Sequence, residues 1–495
     1  MKKMNLLVMS LVSAAALSFS SCSSNDDLAG GGTQSQADGV YMTLKISGAT
    51  SHGTRTGVTA DKTTNENGNE AESTITEGMM YIYDGNTCVF RKVITKEMFQ
   101  TQPDQTTAGV TRPIKVAVTG AITTGKQYDV YFLANRTKVD NPIAATSIFT
   151  STTGGADFAT EKTFVMFNQN DGTKAAAHSK VEFTADNKSE ATPARAGEIK
   201  LDRVVARIDK PSFAETVTTV TPATDTRTSI NAADVVASIS YEGYAVSNLN
   251  NNSYVKQNWD NNFETLTVKW GEPKYYLPKN DYGTLYKADG LNNFGTDNWK
   301  YAFENTTTDV DDATAVYFKV KVALTEPAKN ASDFGDGTFY RYDGRLYTSI
   351  QAIYNDAATG AISNPFTETN SITPAEVVNK IKDATTGKLT TEETVLAKFR
   401  KDYKIEVYRQ GVMYYRWAIS DNAYKPFVAS DPTPHTYSVL RNSIYRLTVT
   451  KVSEIGKDVP NGPEPDDPVK NPNFYMNVTV SINPWVLNAQ PIELK

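Results

Sequence analysis

The residue types that most often catalyse reactions or bind metals are few and scattered in this chain. The 3 histidines, His52, His178 and His435, lie far apart and show neither HxH nor HExxH spacing, so the sequence does not indicate a zinc site. Residues 333–335 read DFG, a protein-kinase tripeptide, but the other kinase motifs are missing. Residues 30–32 form a glycine run without the Lys-Ser/Thr pair of a phosphate-binding loop. We therefore predict that the protein is not an enzyme and has no cofactor.

Acidic side chains are the remaining candidates for a metal site. Asp309, Asp311 and Asp312 could contribute oxygen ligands to calcium, but their loop lacks the spaced ligand pattern, and a solvated acidic turn is the simpler interpretation. The formal net charge is -6, with acidic and basic residues mixed along the chain and no basic stripe. We therefore expect no nucleic-acid partner.

A cysteine near the N-terminus has a context that predicts covalent chemistry. A positively charged start precedes an apolar stretch, residues 4–19, which is too short and wrongly flanked for a stable membrane span. The stretch ends in FSSC, which resembles a bacterial lipobox and implies cleavage before Cys22 and lipidation of its thiol. An ordinary signal peptide with an incidental cysteine is the alternative. Residues 1–21 are thus predicted to be a lipoprotein signal peptide.

The first element beyond this signal is a predicted strand, residues 40–46. Its apolar side chains alternate and share one face: Val40, Met42, Leu44 and Ile46. A long polar loop without periodicity follows, and Arg55 lies in it among small and polar residues. Because proteolysis concentrates in such loops, a protease can cut the link between the first strand and the rest of the chain.

The last stretch of the chain shows the same alternation. One face of its strand would carry Phe474, Met476, Val478, Val480 and Ile482. A second apolar piece follows Pro484 and adds Trp485, Val486, Leu487, Ile492 and Leu494. Residues 457–472, rich in Pro and Asp, read as a stiff, extended tether. An exposed apolar strand invites aggregation unless it has a dedicated partner. The alternative is a last core strand of the same domain, reached over a long loop.

Between these two ends, short alternating runs favour β-structure. Candidate strands recur at intervals of about a dozen residues: 79–83, 88–94, 114–118, 128–133, 164–167, 181–184, 201–208, 235–241, 265–270, 316–324, 405–408, 413–419 and 445–452. Strands at this spacing with few helices indicate β-sandwiches. Cys88 lies in one of these runs, so we predict a buried free thiol and no disulfide.

Two short helices with surface character are predicted in the second half of the chain. Thr373 is suited to cap a helix that has Pro374 at its first position. Thr390 and Glu393 have the spacing of a capping box and predict a second helix that ends near Phe399.

Several segments, taken in order, resemble the fimbrillins of Bacteroidetes. They are LDRVVARIDK (201–210), YYLP (275–278), YAFEN (301–305), GTFYRYDGRLY (337–347), GVMYYRWA (411–418), VLRNSIYRL (439–447) and the ending VSINPWVLNAQPIEL (480–494). Together with the lipobox, the first strand, the Arg loop and the tethered last strand, they are most similar to the minor-fimbrillin type, the shaft subunits of type V fimbriae. The acidic segment after Cys22 also resembles the surface-export signal of Bacteroidetes lipoproteins.

The resemblance implies an all-β fold: two transthyretin-like β-sandwich domains with a few short helices and an extended C-terminal donor strand. The predicted organisation is a signal peptide (1–21), a lipidated propeptide with the first strand (22–55), an N-terminal β-sandwich domain (56–210), a C-terminal β-sandwich domain (211–456), a Pro-rich tether (457–472) and the donor strand (473–495).

The resemblance also implies assembly by strand exchange. A protease, Arg-specific in the best-known members, would cut after Arg55, leave Thr56 as the mature N-terminus and remove the first strand. The alternating side chains of the last strand would refill the vacated pockets in a neighbouring subunit, and the apolar piece after Pro484 would run on into its second domain. The expected function is a structural shaft subunit of a surface fimbria that supports adhesion and colonisation, with a precursor lipid-anchored at the outer membrane.

The expected partners are further copies of the chain in a head-to-tail polymer, the fimbrial anchor, tip and accessory subunits, and the processing protease. Host or bacterial surface receptors remain open candidates. A tip or accessory adhesin is the alternative, although a tip subunit caps a filament and need not donate its C-terminus. A third interpretation is a glycan-binding surface lipoprotein, whose 26 tyrosines would have to form an exposed platform.

Overall fold

The computed structural model describes the chain at residues 39–48, 66–67, 70–100, 114–120, 122–137, 139–144, 146–169, 179–213, 235–257, 298–307, 310, 313–366, 372–419, 437–452, 455–458 and 476–486. Strands predominate within these ranges, so the prediction of a mostly β chain is confirmed. No helix in the same ranges combines the length and apolar character that crossing a membrane requires.

The N-terminal sheet has eight strands and is formed from the first part of the chain. The strands up to residue 203 are β1 (Val40–Gly48), β2 (Glu66–Asn67), β3 (Gly78–Asp84), β4 (Thr87–Ile94), β5 (Ile114–Val118), β6 (Gln127–Ala134), β7 (Ile148–Thr150), β8 (Met166–Asn168), β9 (Ser179–Glu182) and β10 (Ala194–Arg203). The order in the sheet is β4-β3-β6-β8-β10-β1-β5, and β9 pairs with β6. The first strand of the sequence is therefore an interior strand of the sheet.

The C-terminal sheet has six strands, and four smaller sheets are formed mainly from the second part of the chain. The remaining strands are β11 (Ala206–Asp209), β12 (Ser212–Phe213), β13 (Val236–Ser247), β14 (Asn252–Tyr254), β15 (Trp299–Ala302), β16 (Asn305–Thr307), β17 (Ala315–Leu324), β18 (Phe339–Tyr342), β19 (Arg345–Tyr347), β20 (Glu406–Tyr408), β21 (Val412–Ala418), β22 (Tyr437–Val439), β23 (Ser443–Val452) and β24 (Met476–Val486). The C-terminal sheet has the order β15-β11-β23-β24-β2, with β12 beside β23. The smaller sheets are β13-β17-β21, β19-β18-β20, β16-β22 and β14-β7.

The apolar core divides at the junction between β10 and β11. Buried side chains up to Val205 belong to a cluster under the N-terminal sheet, together with Val255, Phe303 and Ile444 from later in the chain. From Ala206 onward a second cluster begins, formed by β11, β13, β17, β21 and β23. The division lies a little before the boundary that the sequence predicted near residue 211.

The six described helices are α1 (Glu70–Ser73), α2 (Lys96–Gln100), α3 (Glu326–Asn330), α4 (Ile350–Ala358), α5 (Pro374–Asn379) and α6 (Glu393–Tyr403). The start of α5 is confirmed, since Thr373 caps it and forms a capping box with Glu376. The start of α6 was predicted wrongly: its N-cap is Glu392, and the Thr390 hydroxyl instead accepts a hydrogen bond from the Glu392 amide at 3.1 Å.

The helices α4, α5 and α6 pack with β18, β19 and β20 around a third apolar cluster. We call these six elements together the helical insert. In sequence the insert lies between β17 and β21 of one three-stranded sheet. Leu396, Phe399 and Tyr403 of α6 are buried in it. The opposite side of α6 and most of α5 are exposed, so the two predicted helices lie at the surface with one face buried in this cluster.

Two sequence predictions about strands need correction. Residues 201–208 were predicted as one strand, but the chain leaves β10 after Arg203 and enters β11 at Ala206. The break occurs because the Val204 amide donates to the Val165 carbonyl at 3.1 Å, which takes this residue out of either sheet ladder. Cys88 forms no disulfide, but it is half-buried rather than buried because it lies on β4, the edge of the N-terminal sheet.

Candidate functional site

The first strand lies between β5 and β10 and completes the N-terminal core. Its alternating apolar residues all point into that core, with exposed fractions of 6% for Val40 and 0% for Met42, Leu44 and Ile46. Towards β5 the pairing is antiparallel, from Val40 opposite Val118 to Leu44 opposite Ile114. The side chains that the sequence placed on one face of this strand are thus together on one buried face.

On its other edge, β1 runs parallel to β10, from Met42 opposite Ala194 to Gly48 opposite Leu201. Because both edges of β1 are paired, its removal would leave unpaired N–H and C=O groups along β5 and β10. Among the described strands, β5 pairs with β1 alone, so it would lose its place in the sheet as well. The space left between β5 and β10, which we call the β1 groove, would be both apolar and open to backbone pairing.

The burial of β1 is large enough to matter for the stability of the whole N-terminal sheet. Each buried Val, Leu, Ile or Met side chain contributes roughly 1.5–3 kcal/mol relative to an exposed one, so the four together contribute on the order of 6–12 kcal/mol before entropy is subtracted. That amount is comparable to the net stability of a typical domain. A protein that loses β1 therefore needs a replacement strand.

The residues predicted for lipidation and cleavage, Cys22, Arg55 and Thr56, lie outside the described residues. The same holds for all the histidines, for Asp309, Asp311 and Asp312, for the strand candidate at 265–270 and for most of the tether. The DFG tripeptide is described, and its aspartate has a structural role. Asp333 accepts a hydrogen bond from the Ile350 amide at 2.9 Å at the start of α4, and burial raises the pKa of its carboxyl group.

The last strand, β24, pairs with the C-terminal sheet of its own chain. It runs antiparallel to β23, from Met476 opposite Val452 to Pro484 opposite Ser443. Its outer edge meets the short strand β2, where Glu66 lies opposite Trp485 and Asn67 opposite Val486. The predicted donor residues from Met476 to Val486 thus form one continuous strand, without the interruption after Pro484 that the sequence suggested.

The remaining predicted donor residues, Phe474, Leu487, Ile492 and Leu494, lie outside the described residues. Residues 476–486 and β1 belong to different sheets, so within this chain the predicted donor strand lies apart from the place of the strand that it would replace. The arrangement corresponds to the alternative in which the last strand is seated on its own domain.

The first two residues of the predicted tether are fixed in place by contacts with earlier parts of the chain. Asp458 is buried, and its carboxylate accepts hydrogen bonds from the Arg400 guanidinium and, at 2.8 Å, from the Val407 amide. Burial raises the pKa of Asp458, and the positive charge of Arg400 opposes that shift. Lys457 adds two backbone hydrogen bonds to Tyr414, at 2.7 and 2.9 Å. These contacts, the tether anchor, fix the point from which residues 459–475 depart.

A buried polar seam joins the two halves of the molecule where β10 passes into β11. At its centre is Glu72 of α1, 1% exposed, whose carboxylate contacts Arg207 at 2.9 and 3.1 Å and the Tyr301 hydroxyl at 2.9 Å. The Arg203 guanidinium donates to the Glu72 carbonyl at 2.8 Å and to the Asn442 side chain at 3.2 Å. Asn442 in turn donates to Asp202 at 2.6 Å.

A second charge pair continues the seam. Arg441 and Glu304 are 2.8 Å apart, with exposed side-chain fractions of 2% and 3%. The same guanidinium donates to the carbonyls of Tyr254 and Val255 at 2.6 and 3.0 Å. Buried charges are tolerated only when they are paired and hydrogen-bonded, and this pair meets both conditions.

The seam shifts the pKa values of its members. Burial lowers the pKa of Arg203 to about 9, while Glu72 and Asp202 act in the opposite direction. Burial, and then the charge of Glu72, raises the pKa of Tyr301 above its usual range. Arg203 therefore remains a cation and Tyr301 a neutral donor at neutral pH, which suits a structural network and not proton transfer.

Sequence reasoning did not predict this seam, although it singled out the segments that form it. Arg203 and Arg207 belong to LDRVVARIDK, Tyr301 and Glu304 to YAFEN, and Arg441 with Asn442 to VLRNSIYRL. A signal was present, because an arginine within an apolar strand run is rare unless it is paired. Which acid would pair with it was not readable from the sequence. Among the described residues, no group of three or more His, Cys, Asp or Glu side chains is arranged to hold a metal ion.

Comparison with known proteins connects the last of these segments, residues 439–447, to a family. Residues 406–491 match the family model described as major fimbrial subunit protein type IV, fimbrillin, C-terminal. The match spans β20 to β24 and includes Asp458 of the tether anchor, Arg441 and Asn442 of the seam, and the tether itself. This segment is similar to the C-terminal region of fimbrillins. The family is one of fimbrial subunits at the cell surface, and it is structural and not enzymatic.

Solved structures give a more distant likeness over most of the chain. A fimbrilin from Porphyromonas gingivalis is 15% identical, with 91% of this chain and 99% of that chain covered and a TM-score of 0.42. A cell adhesion protein described as putative, from Parabacteroides distasonis, is 11% identical, with 90% and 99% covered and a TM-score of 0.43. No protein with a curated description matches the chain in sequence. At these values the likenesses do not establish a shared function.

Proposed function

We propose that the protein is a shaft subunit of a surface fimbria that polymerises by strand exchange. Its precursor is exported as a lipoprotein through Cys22 and anchored at the outer membrane. A protease cuts after Arg55, Thr56 becomes the mature N-terminus, and β1 leaves the groove between β5 and β10. The C-terminal strand of a second copy then fills the groove, and the contact repeats from one subunit to the next.

The observation that carries this proposal is the position of β1. The strand β1 is first among the strands, interior in its sheet and buried on one face. The sequence that follows it, residues 49–65, is polar and contains Arg55. A cut in that segment leaves β1 attached through side-chain burial and backbone pairing alone. Such a strand can be exchanged for another of equal burial without change to the rest of the sheet.

The length of the connection to β24 supports a role outside its own domain. β23 ends at Val452, which is paired with Met476 at the start of β24. A hairpin of two antiparallel strands needs a loop of about two to five residues, whereas this connection runs from residue 453 to 475. Beyond the tether anchor, residues 459–475 would reach roughly 50 Å if extended at about 3.1 Å per residue. Pairing with β23 does not require that reach, but a neighbouring subunit does.

The remaining parts of the proposal follow from the resemblance and the family match. Residues 56–210 and 211–456 are two transthyretin-like β-sandwich domains, residues 457–472 are the tether and residues 473–495 are the donor strand. The self-association partners are identical subunits, and the filament also meets anchor, tip and accessory subunits. Binding of host or bacterial surfaces would be a property of the assembled fimbria.

The test is limited proteolysis of the secreted form, followed by a polymerisation assay. Trypsin should make one early cut at Arg55, identified by mass spectrometry, and ladders on a denaturing gel with thin filaments in negative stain should follow. The matched control ends at Pro472, which removes the donor strand and leaves the N-terminal sheet intact. It should be cut at the same place and remain monomeric. Filaments from the truncated chain would overturn the proposal.

A tip or accessory adhesin is the second candidate, and the pairing of β24 with β23 favours it. A subunit whose last strand stays on its own sheet cannot donate that strand to a neighbour. In that case the full-length chain should also remain a stable monomer after the cut at Arg55. That outcome would replace the shaft assignment by a terminal or accessory role.

A further inference from the structure

The first and last strands match in sequence residue by residue, beyond their shared alternation. Residues 40–47 read VYMTLKIS, and residues 474–481 read FYMNVTVS. In this alignment Tyr, Met and Ser coincide at the second, third and eighth positions. Each of the other apolar positions in the first strand is matched by an apolar residue in the last, and each polar position by a neutral polar one. The alignment holds when both strands are read in the same direction.

The burial of each residue of β1 shows which side of the sheet the matched residue of an incoming strand must face. Met42, Leu44 and Ile46 have no exposed surface, while Tyr41 and Thr43 on the opposite face are half-buried. A slip by one residue would turn every apolar side chain of an incoming strand away from the core. A shift of the register by two residues keeps the apolar side chains on the core side of the sheet. It moves methionine, the longest of these side chains, away from the pocket that Met42 occupies. The residue-by-residue match therefore selects one register among those that alternation allows.

The two borders of the β1 groove also favour one direction. β10 presents the hydrogen-bonding edge of a parallel pair, and β5 presents that of an antiparallel pair. These two ladders differ in spacing and slant, so a strand that enters in the direction of β1 meets both edges as they stand. A reversed strand would need both ladders to be rebuilt.

We propose that the C-terminal strand of a second copy enters the β1 groove in the same direction as β1, with Met476 in the position of Met42. Val478 then takes the position of Leu44, and Val480 that of Ile46. The donor strand lies parallel to β10 and antiparallel to β5. The assignment rests on the strand exchange of the proposed function, and adds to it the direction and the register.

This register makes definite contacts between subunits. Thr479 of the donor takes the position of Lys45 and lies opposite Glu198 on β10 of the acceptor. If the donor is shifted by two residues towards the end of the groove that Val40 occupies, Thr479 takes the position of Thr43 and lies opposite Lys115 on β5. If it enters reversed, with Asn477 at the position of Thr43, Thr479 lies opposite Ala117. One donor position therefore distinguishes three arrangements.

The experiment uses three double variants of the secreted form in a Cys88→Ser background. Each carries Thr479→Cys together with Glu198→Cys, Lys115→Cys or Ala117→Cys. Glu198 and Lys115 are exposed and Ala117 is half-buried, so these changes spare the core. After the cut at Arg55 and polymerisation, mild oxidation links cysteines whose Cα atoms lie within about 4.4–6.8 Å. A ladder of linked subunits on a non-reducing gel reports the contact between copies.

The expected result is a ladder with Glu198→Cys and none with the other two variants. Filaments that give a ladder with Lys115→Cys or Ala117→Cys in its place would overturn the register or direction and leave strand exchange standing. Filaments without a ladder in any of the three arms would overturn the proposed direction and register. Absence of filaments after the cut, in the variants and in the unsubstituted protein, would overturn the proposed function itself. The uncut precursors provide the blank, since β1 then still occupies the groove.

Discussion

Glu72 is the residue on which the seam between the two halves depends. Its carboxylate contacts Arg207 and the Tyr301 hydroxyl, and its carbonyl accepts from Arg203, all in a region nearly without solvent. Glu72→Gln removes one of the two carboxylates that pair with the Arg207 guanidinium, which keeps Asp209 at 2.7 Å. Loss of one partner of a buried pair costs about 3–5 kcal/mol. We expect a fall in the free energy of unfolding near the lower end of that range, measured by urea denaturation.

The control for this prediction is Glu190→Gln, the same change at an exposed glutamate of the N-terminal half. It should alter the free energy of unfolding by less than about 0.5 kcal/mol. Equal effects of the two substitutions would show that the seam does not contribute to stability.

Gly411 permits the close approach of β21 to β17. Its φ is 80°, and a Cβ at this position would lie 2.1 Å from the Val322 carbonyl oxygen. Gly360 has a similar φ of 74° but no atom within 4 Å of such a Cβ. Gly411→Ala should therefore lower the melting temperature much more than Gly360→Ala. The second substitution is the control, since it introduces only the left-handed backbone strain of about 1–2 kcal/mol and no steric clash. Similar losses in the two variants would mean that the contact with β17 adjusts freely.

At the scale of single elements, the capping box of α5 gives a prediction about pH. Hydrogen bonds from the Thr373 amide, and then from its hydroxyl, lower the pKa of Glu376. A carboxyl group whose pKa is lowered by folding contributes stability that is fully present above its unfolded-state pKa. That contribution is lost as the pH falls through the lower, folded-state pKa. Hydrogen-exchange protection of α5, corrected for intrinsic rates, should therefore decrease on acidification into that range.

The matching substitution is Thr373→Ala, which removes the hydroxyl of the cap and typically costs about 1 kcal/mol. In this variant the protection of α5 should already be low at neutral pH, and its decline on acidification should be smaller than in the unsubstituted protein. An unchanged pH profile would assign the acid sensitivity to another group.

Much of the strand content could be predicted, because a strand with one buried face carries a simple alternating pattern. The pattern predicted β1 and β5 almost to their ends, and it predicted that Val40, Met42, Leu44 and Ile46 share a face. It failed at residues 201–208, where two apolar stretches in different sheets adjoin without a turn residue between them. It also missed α4 and the buried faces of α5 and α6, because short helices that pack mainly on one another show only a few turns of periodicity.

At the scale of the whole molecule, the candidate site could be predicted only in part. The sequence identified the two strands proposed for exchange, since each carries its own pattern. It could not show that β1 lies between β5 and β10, nor that Glu72 meets Arg207 and Tyr301, because those contacts join residues far apart in the chain. Pairing of charges across such distances is decided by the packed fold, which composition and spacing do not contain.

The seam predicts that the two halves unfold together. Arg441 of the β22–β23 connection holds the carbonyls of Tyr254 and Val255. Tyr254 lies opposite Ile148 on β7 and Val255 packs in the cluster under the N-terminal sheet, so unfolding of that cluster removes partners from Arg441. Calorimetry should show one cooperative transition for the unsubstituted protein. Arg441→Met should separate it into two, whereas Lys401→Met on the exposed side of α6 should not. A single transition in both variants would show that the cores alone couple the halves.

If subunits polymerise by the proposed strand exchange, the pairing of β24 with β23 affects when they do so. A strand that is covalently joined to its own sheet meets that sheet at an effective concentration of the order of millimolar. An identical strand on another molecule in micromolar solution meets that sheet far less often. In each free subunit, pairing of β24 with β23 therefore competes with donation of the same strand to a neighbour. The strand stays on its own sheet until binding in a vacant groove has a lower free energy. Filament growth then depends on the difference in free energy between the strand paired with its own β23 and the strand bound in the groove of a neighbour. Filaments would therefore extend where cut subunits accumulate and not where they are dilute.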